Sequence, residues 1–365
     1  LRSIASTAQT PSRAIMITAF VSAVCCWINW GFGLVIGALL AKEIAKQVKG
    51  VDYRLLIASA YSGFVVWHGG MSGSIPLGVA AVGADGVVAN TGGVVTAAIP
   101  TSLTIFSPMN LTISAIIILG LPFVCRAMMP DKEHTIEVDA ALLVEDVEKV
   151  YKIETPADKL EHSRIIWAIV LILGFAYIIY NIALNKLHSL NLNFVNFIFM
   201  FAGILLHGNL KRYIDAFADS AKSCSVILLQ FPFYAGIQGM MTGAVAGVSL
   251  AGVISTFFVG IATTTTFPLF TFLSAGIVNF FVPSGGGQWA VQGPIMMPAG
   301  LEIGVPAAKT AMAIAWGDAW TNMIQPFWAL PALGIAGLSA KDIMGYCVIT
   351  LLFSGVVIAA GFLIF

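Results

Sequence analysis

Asp318 is the one acidic residue within the apolar interior of this 365-residue chain, in the run Trp316-Gly317-Asp318-Ala319-Trp320-Thr321-Asn322. A carboxylate at membrane depth costs at least ~2.5 kcal/mol on insertion scales, so such a group is functional by default. Its plainer role is to cap a half-helix. Beside an anionic ligand it would be repulsive unless it carried a proton or a bound cation. Coupling to a proton or a sodium ion is therefore the expected chemistry, with His68 as a second titrating group and Gln325 as a further cation-coupling candidate. No Cys/His cluster suggests a metal, and the five cysteines read as buried thiols.

A second constellation is Ser284-Gly285-Gly286-Gly287-Gln288. Successive glycines let a ligand approach several backbone N–H groups. A half-helix beginning there points its positive end at the same spot. Together these suit a carboxylate. No Lys or Arg lies in the run, which favours a small monoanion over a di- or tricarboxylate. A tight turn needing glycine for geometry alone is the structural alternative. Asn29, Gly31, Gly33, Gly70, Ser72, Ser74, Asn279, Trp316, Thr321 and Asn322 complete the expected substrate-binding set. Each amide or hydroxyl has the alternative of being polar packing between helices. Trp67, Trp289, Trp316, Trp320 and Trp328 are expected to wall an apolar pocket for a short acyl chain. Gly70-Met71-Ser72-Gly73 also matches the G-x-S-G of intramembrane serine hydrolases. A nucleophilic serine needs a base within reach, and the candidate, His207, lies at the cytoplasmic end of a span.

The elements that must position these residues occur twice. An apolar stretch is interrupted at Asn29–Gly33, and a Trp-rich helix then breaks at Trp67–Pro76. The stretch around Asn279–Gln288 is interrupted likewise, and the helix at Trp316–Asn322 breaks, with Gln325-Pro326 beyond. Broken backbone at membrane depth survives only where it faces protein or a watery cavity. Two such breaks in corresponding places point to a transporter's substrate site. Asn29 pairs with Asn279, and Trp67 with Trp320, at nearly equal separations.

Composition agrees. The chain is 58% hydrophobic and 10% charged, with mean hydropathy +0.92, where soluble domains carry roughly 25% charged residues. This is a polytopic membrane protein, and its zero net charge offers no basic surface for nucleic acid. Basic residues flank the first interrupted stretch on both sides, placing both ends in the cytoplasm. No Lys or Arg lies between Lys222 and Lys309, so the second stretch opens from the opposite side.

The chain thus reads as inverted repeats: residues 1–130, a cytoplasmic linker over 131–164, and residues 165–365. The linker holds ten of the eighteen acidic residues, which marks it as a solvated connection. Tyr213–Lys222 suits a helix lying in the membrane interface, and Gly83–Thr96 suits an outer loop. By analogy with the second repeat, roughly 85 residues, two or three spans, are expected upstream of Leu1.

Several long motifs resemble the bacterial short-chain fatty acid transporters. They are Asn279 through Pro294 (NFFVPSGGGQWAVQGP), Gln230 through Gln238 (QFPFYAGIQ), Gln325 through Pro331 (QPFWALP) and Asp342 through Cys347 (DIMGYC). Ile28 through Gly33 and Ser72-Gly73-Ser74 with Pro76-Leu77 are similar in the first half. The likeness covers essentially the whole chain. It implies an inner-membrane carrier for butyrate- or acetoacetate-like acids, with two opposed re-entrant hairpins, two broken helices and elevator motion. Asp318 stands where that pattern tends to carry Glu, and His68 where glycines are usual, so the coupling ion stays open.

The expectation is an all-α, multi-pass, cation-coupled monocarboxylate symporter in the bacterial inner membrane. Its partners are a small carboxylate and the bilayer, with the remaining spans as scaffold and dimer interface. It needs no cofactor beyond a co-transported proton or sodium ion. A di- or tricarboxylate carrier, a passive channel and the hydrolase are the alternatives.

Overall fold

A computed structural model describes residues 1–81, 90–143, 151–185, 192–223, 225–244 and 247–365. Residues 82–89, which include the first half of the expected loop Gly83–Thr96, the linker residues 144–150, Cys224 and His188 lie outside the described residues. The described residues are helical, with no strand among them. Pro11–Ile28, Pro108–Ala127, Pro156–Asn185 and Ala340–Ile364 are long and apolar enough to cross a membrane. The chain forms two compact units, Leu1–Leu143 with Val226–Phe365, and Val144–Ser225.

In the larger unit, Pro11–Ile28 starts where Thr10 caps a helix with proline in its first turn, a position that needs no amide N–H. Asn29 is extended, and Trp30–Gln47 runs back. Cβ atoms built at Gly33 and Gly37 would strike Cys26 and Ser22. Facing positions are thus symmetric about Asn29–Trp30, which makes the pair an antiparallel hairpin. Close packing at Cys26 accounts for Gly33 without any ligand.

Tyr53–Ser62 follows, capped by Asp52, and tightens into a 3₁₀ helix over Gly63–Gly69. Gly70 is extended, and a short helix resumes at Ser74–Ala80. Phe267–Phe281 and Gly285–Glu302 form the second helix pair. Gln288 reaches Ala275, Gln292 reaches Ser274, and Met296 meets Thr271, so this pair is antiparallel about Val282–Pro283. Ala307–Thr321 then breaks at Asn322–Gln325 and resumes as Pro326–Ala329 and Leu330–Ala336.

The two broken helices pack on each other. Tyr53 Oη donates to the Ala336 carbonyl, and Tyr61 Oη to that of Asn322; His68 meets Asp318, and Gly69 meets Trp316. Residue numbers rise on one helix as they fall on the other, so the pair is antiparallel.

Part of the linker is docked rather than solvated. Ile136 N–H donates to Asp52 Oδ2 at 2.9 Å, and the Ile136 carbonyl accepts from Tyr53 N–H at 2.8 Å. Leu142 covers Gly337, whose φ of 69° ends the second broken helix, the left-handed cap that glycine adopts without strain.

In the smaller unit, Arg164–Asn185 and Leu192–His207 pack antiparallel. Gly174 faces Phe201, and Trp167 Nε1 donates to the Ile204 carbonyl at 2.8 Å. The next helix, Leu210–Ser223, turns away by 120°, and its apolar and charged faces suit an interfacial helix.

Candidate functional site

Each helix pair ends in a tip built the same way. At the first, Asn29 (φ −152°, ψ 121°) caps Trp30–Gln47, its Oδ1 accepting from Phe32 N–H at 2.9 Å. At the second, Ser284 (φ −152°, ψ 111°) caps Gly285–Glu302, its Oγ accepting from Gly287 N–H at 3.4 Å. Ser284 thus caps its helix at the second tip as Asn29 does at the first. The pairing expected with Asn279 is corrected: Asn279 lies inside Phe267–Phe281, where its Nδ2 donates to Thr321 Oγ1 at 2.9 Å.

The first tip is tied to the first break. Ser72 Oγ accepts from Trp30 N–H at 2.9 Å, and Met71 N–H donates to the Trp27 carbonyl at 2.7 Å. A Cβ on Gly70 would collide with that same carbonyl, so glycine is needed there for close approach. The second tip is tied to the second break: Trp328 Nε1 donates to the Pro283 carbonyl at 3.0 Å. Gln325 accepts from Phe327 N–H and donates to Tyr234 Oη, both at 2.9 Å.

Two tryptophans touch both tips. The Trp328 ring lies 5.0 Å from that of Trp30, and the Trp67 ring 6.1 Å from it. Trp67 also borders Gly285. With Phe64 stacked on Trp67 at 5.5 Å, they form an apolar wall between the tips. Of the five tryptophans expected there, only Trp67 and Trp328 take part, and Trp30 joins them. Trp289 packs with Ile75 and Met296. Trp316 donates to Asn110 Oδ1 at 2.9 Å, and Trp320 to the Leu351 carbonyl at 2.7 Å.

Unpaired donors lie on Trp67 and at the start of Gly285–Glu302. Gly285 and Gly286 N–H, in the first turn of their helix, find no acceptor among the described residues, as is usual at a helix start. Trp67 Nε1 is buried with no partner among the described residues. Gly286 is exposed, and nothing stands within 4 Å of a Cβ built there. Gly31 is half-buried behind Asn29, and Ser74 opens the resumed helix.

His68 and Asp318 lie beside the second tip, 0% and 1% exposed. Nδ1 of His68 contacts Asp318 Oδ2 at 2.7 Å, and its Nε2 accepts from Ile75 N–H at 3.0 Å. The hydrogen-bond network thus puts the proton on Nδ1 and leaves the imidazole neutral. His68 caps the resumed helix while holding the carboxylate.

Sequence reasoning missed Asn110, Tyr234 and Gln238. Asn110 donates to the carbonyls of Gly69 and Ile105, both at 2.7 Å, and accepts from Trp316. It satisfies the broken backbone where hydrocarbon would not. Tyr234 and Gln238 line a cavity of about 40 Å³ with Phe231, Pro283, Ser284 and Phe327. Their only signal was membership of the Gln230–Gln238 motif.

The family model for short chain fatty acid transporters matches residues 1–365. A protein of Escherichia coli strain K12, named "Putative short-chain fatty acid transporter", is 46% identical over all of this chain and 81% of its own length. A protein of the same name from Haemophilus influenzae is 43% identical over 99% of this chain and 80% of its own. A "Putative basic amino acid antiporter YfcC" of E. coli is 33% identical over 20% of this chain. No solved structure matches.

Proposed function

This chain belongs to the short-chain fatty acid transporter family, and on that footing we propose that it carries small monocarboxylates such as butyrate across the bacterial inner membrane by cation symport. The family is one of transporters, so the protein is not an enzyme, and the serine hydrolase alternative lapses.

The observation that carries the substrate class is the joining of the tips by an apolar wall, with unpaired donors on Trp67 and at the start of Gly285–Glu302. Trp30, Trp67 and Trp328 supply a surface for a short alkyl chain. Gly285 N–H, Gly286 N–H and Trp67 Nε1–H supply three donors for one carboxylate. A helix N-terminus adds partial positive charge. Neither tip nor either break contains a Lys or Arg that could meet a second carboxylate, which favours monoacids over di- and tricarboxylates.

Two observations support the inverted-repeat reading: the like-built tips and the antiparallel packing of the broken helices. An elevator movement would carry tips and breaks together, since hydrogen bonds tie each tip to a break. Moving an anion inward against a negative-inside potential costs ~2.3 kcal/mol per 100 mV, which one cation carried with it removes. Asp318 and His68 are the residues for that coupling.

The experiment is uptake of labelled butyrate by the full-length protein in proteoliposomes, with competitors in excess. Acetoacetate and propionate should compete, whereas succinate and citrate should not. Competition by succinate or citrate equal to that by propionate would replace the monocarboxylate reading with its rival.

A further inference from the structure

Around the second break, four buried side-chain oxygens have no donor among the described residues: Asn279 Oδ1, Gln288 Oε1, Asp318 Oδ1 and Asn322 Oδ1. All four are acceptors. The amide orientations are fixed by the nitrogens, each of which donates to a protein acceptor. Asn279 Nδ2 donates to Thr321 Oγ1, Gln288 Nε2 to the Ala275 carbonyl, and Asn322 Nδ2 to the Asp318 carbonyl. Turning Gln288 or Asn322 over would set oxygen against a carbonyl, and Thr321 Oγ1, which faces Asn279, already gives its proton to the Gly276 carbonyl at 2.9 Å.

The four belong to one neighbourhood. Asp318 and Asn322 lie one turn apart at the end of Ala307–Thr321. Asn279 is bonded to Thr321, the residue before Asn322. Gln288 is bonded to Ala275, one turn before Asn279, and Ala275 faces Gly317 beside Asp318.

An orphaned buried acceptor costs about 1–3 kcal/mol and a charged one more. The carboxylate has no charged partner, since His68 is neutral while its Nε2 accepts from Ile75 N–H. A proton on Asp318 would serve Asp318 and at most one amide, leaving two oxygens bare. A metal ion would serve all four. Oxygen ligands select a hard cation, and one carboxylate among neutral amides balances a single positive charge. The negative end of Ala307–Thr321 points to the same place.

We infer that Asn279, Gln288, Asp318 and Asn322 form a sodium site at the second break, so that the ion moved with the acid is Na⁺ rather than a proton. Only the ion's role in symport rests on the transport reading; the site itself does not.

The test is the unfolding temperature of the full-length protein in detergent, without any carboxylate substrate. NaCl is titrated against choline chloride at constant ionic strength, with ²²Na⁺ binding in parallel. A saturable rise specific to Na⁺ is expected. Asn322→Ala should raise half-saturation at least tenfold, Asp318→Asn should remove the effect, and Glu133→Gln in the exposed linker should keep it. Gln288→Glu preserves size and adds a carboxylate, so its preference should move toward Ca²⁺. Identical curves in sodium and choline overturn the inference, as does an unchanged ion preference in Gln288→Glu. Butyrate uptake without a sodium effect refutes the ion's role in symport, absence of Na⁺ binding refutes the site, and sodium binding without uptake of any monocarboxylate refutes the transport reading alone.

Discussion

His68 and Asp318, on opposite broken helices, meet through a 2.7 Å hydrogen bond with both side chains out of solvent. Each element that breaks thus supplies one half of a contact holding the breaks together. His68→Ala would leave the carboxylate short of a donor and Ile75 N–H short of an acceptor. At about 1–3 kcal/mol for each of the two orphaned groups, the stability of the detergent-purified variant should fall by about 2–6 kcal/mol, read by thermal unfolding.

Gly285 and Gly286 should respond differently to the same small change. A Cβ at Gly285 would stand 2.7 Å from His68 Cε1, whereas one at Gly286 meets nothing within 4 Å. Gly285→Ala is expected to lower the unfolding temperature together with uptake. Gly286→Ala should unfold at the wild-type temperature yet raise the KM for butyrate several-fold, because the methyl group covers an amide meant for the carboxylate. Measuring both quantities on both variants checks the contrast.

Trp328 links the tips with its ring on one side and its indole N–H on the other. Trp328→Phe keeps an aromatic ring but drops the bond to Pro283, a loss of about 0.5–1.5 kcal/mol. The second tip should loosen. A cysteine introduced as Ser284→Cys should then react at least three-fold faster with a polar maleimide when combined with Trp328→Phe than on its own.

Asn110 makes three buried hydrogen bonds that hold the first break and Trp316. Asn110→Leu has similar volume and none of the polar atoms. About 3–9 kcal/mol should be lost, summed over the three groups left bare; denaturation in detergent reads it. A variant with wild-type stability would mean that the break does not depend on this clamp.

Much of this site was legible because the breaks leave a local signal. Ser284-Gly285-Gly286-Gly287 and Gly70 through Ser74 announce irregular backbone by composition, and Asp318 announces itself by charge. What was not legible depends on contacts distant in sequence. Nothing near Asn110 says that it will satisfy Gly69 and Trp316. Nothing near Asn279 says that the helix continues past it to Phe281. The choice of Trp30 over Trp289 for the wall between the tips follows from which helix faces which, and helical spacing alone does not carry that. The linker was read as solvated from its charge, and Ile136 docks through backbone groups that composition does not register.

Labelled butyrate uptake into proteoliposomes, with sodium and proton gradients imposed separately, on wild type and Asp318→Asn, tests the central claim most directly. Wild type should accumulate butyrate above the external concentration when the sodium gradient is inward, and Asp318→Asn should lose at least nine-tenths of that accumulation while remaining folded. Accumulation that ignores the sodium gradient, or survives intact in Asp318→Asn, would contradict the account.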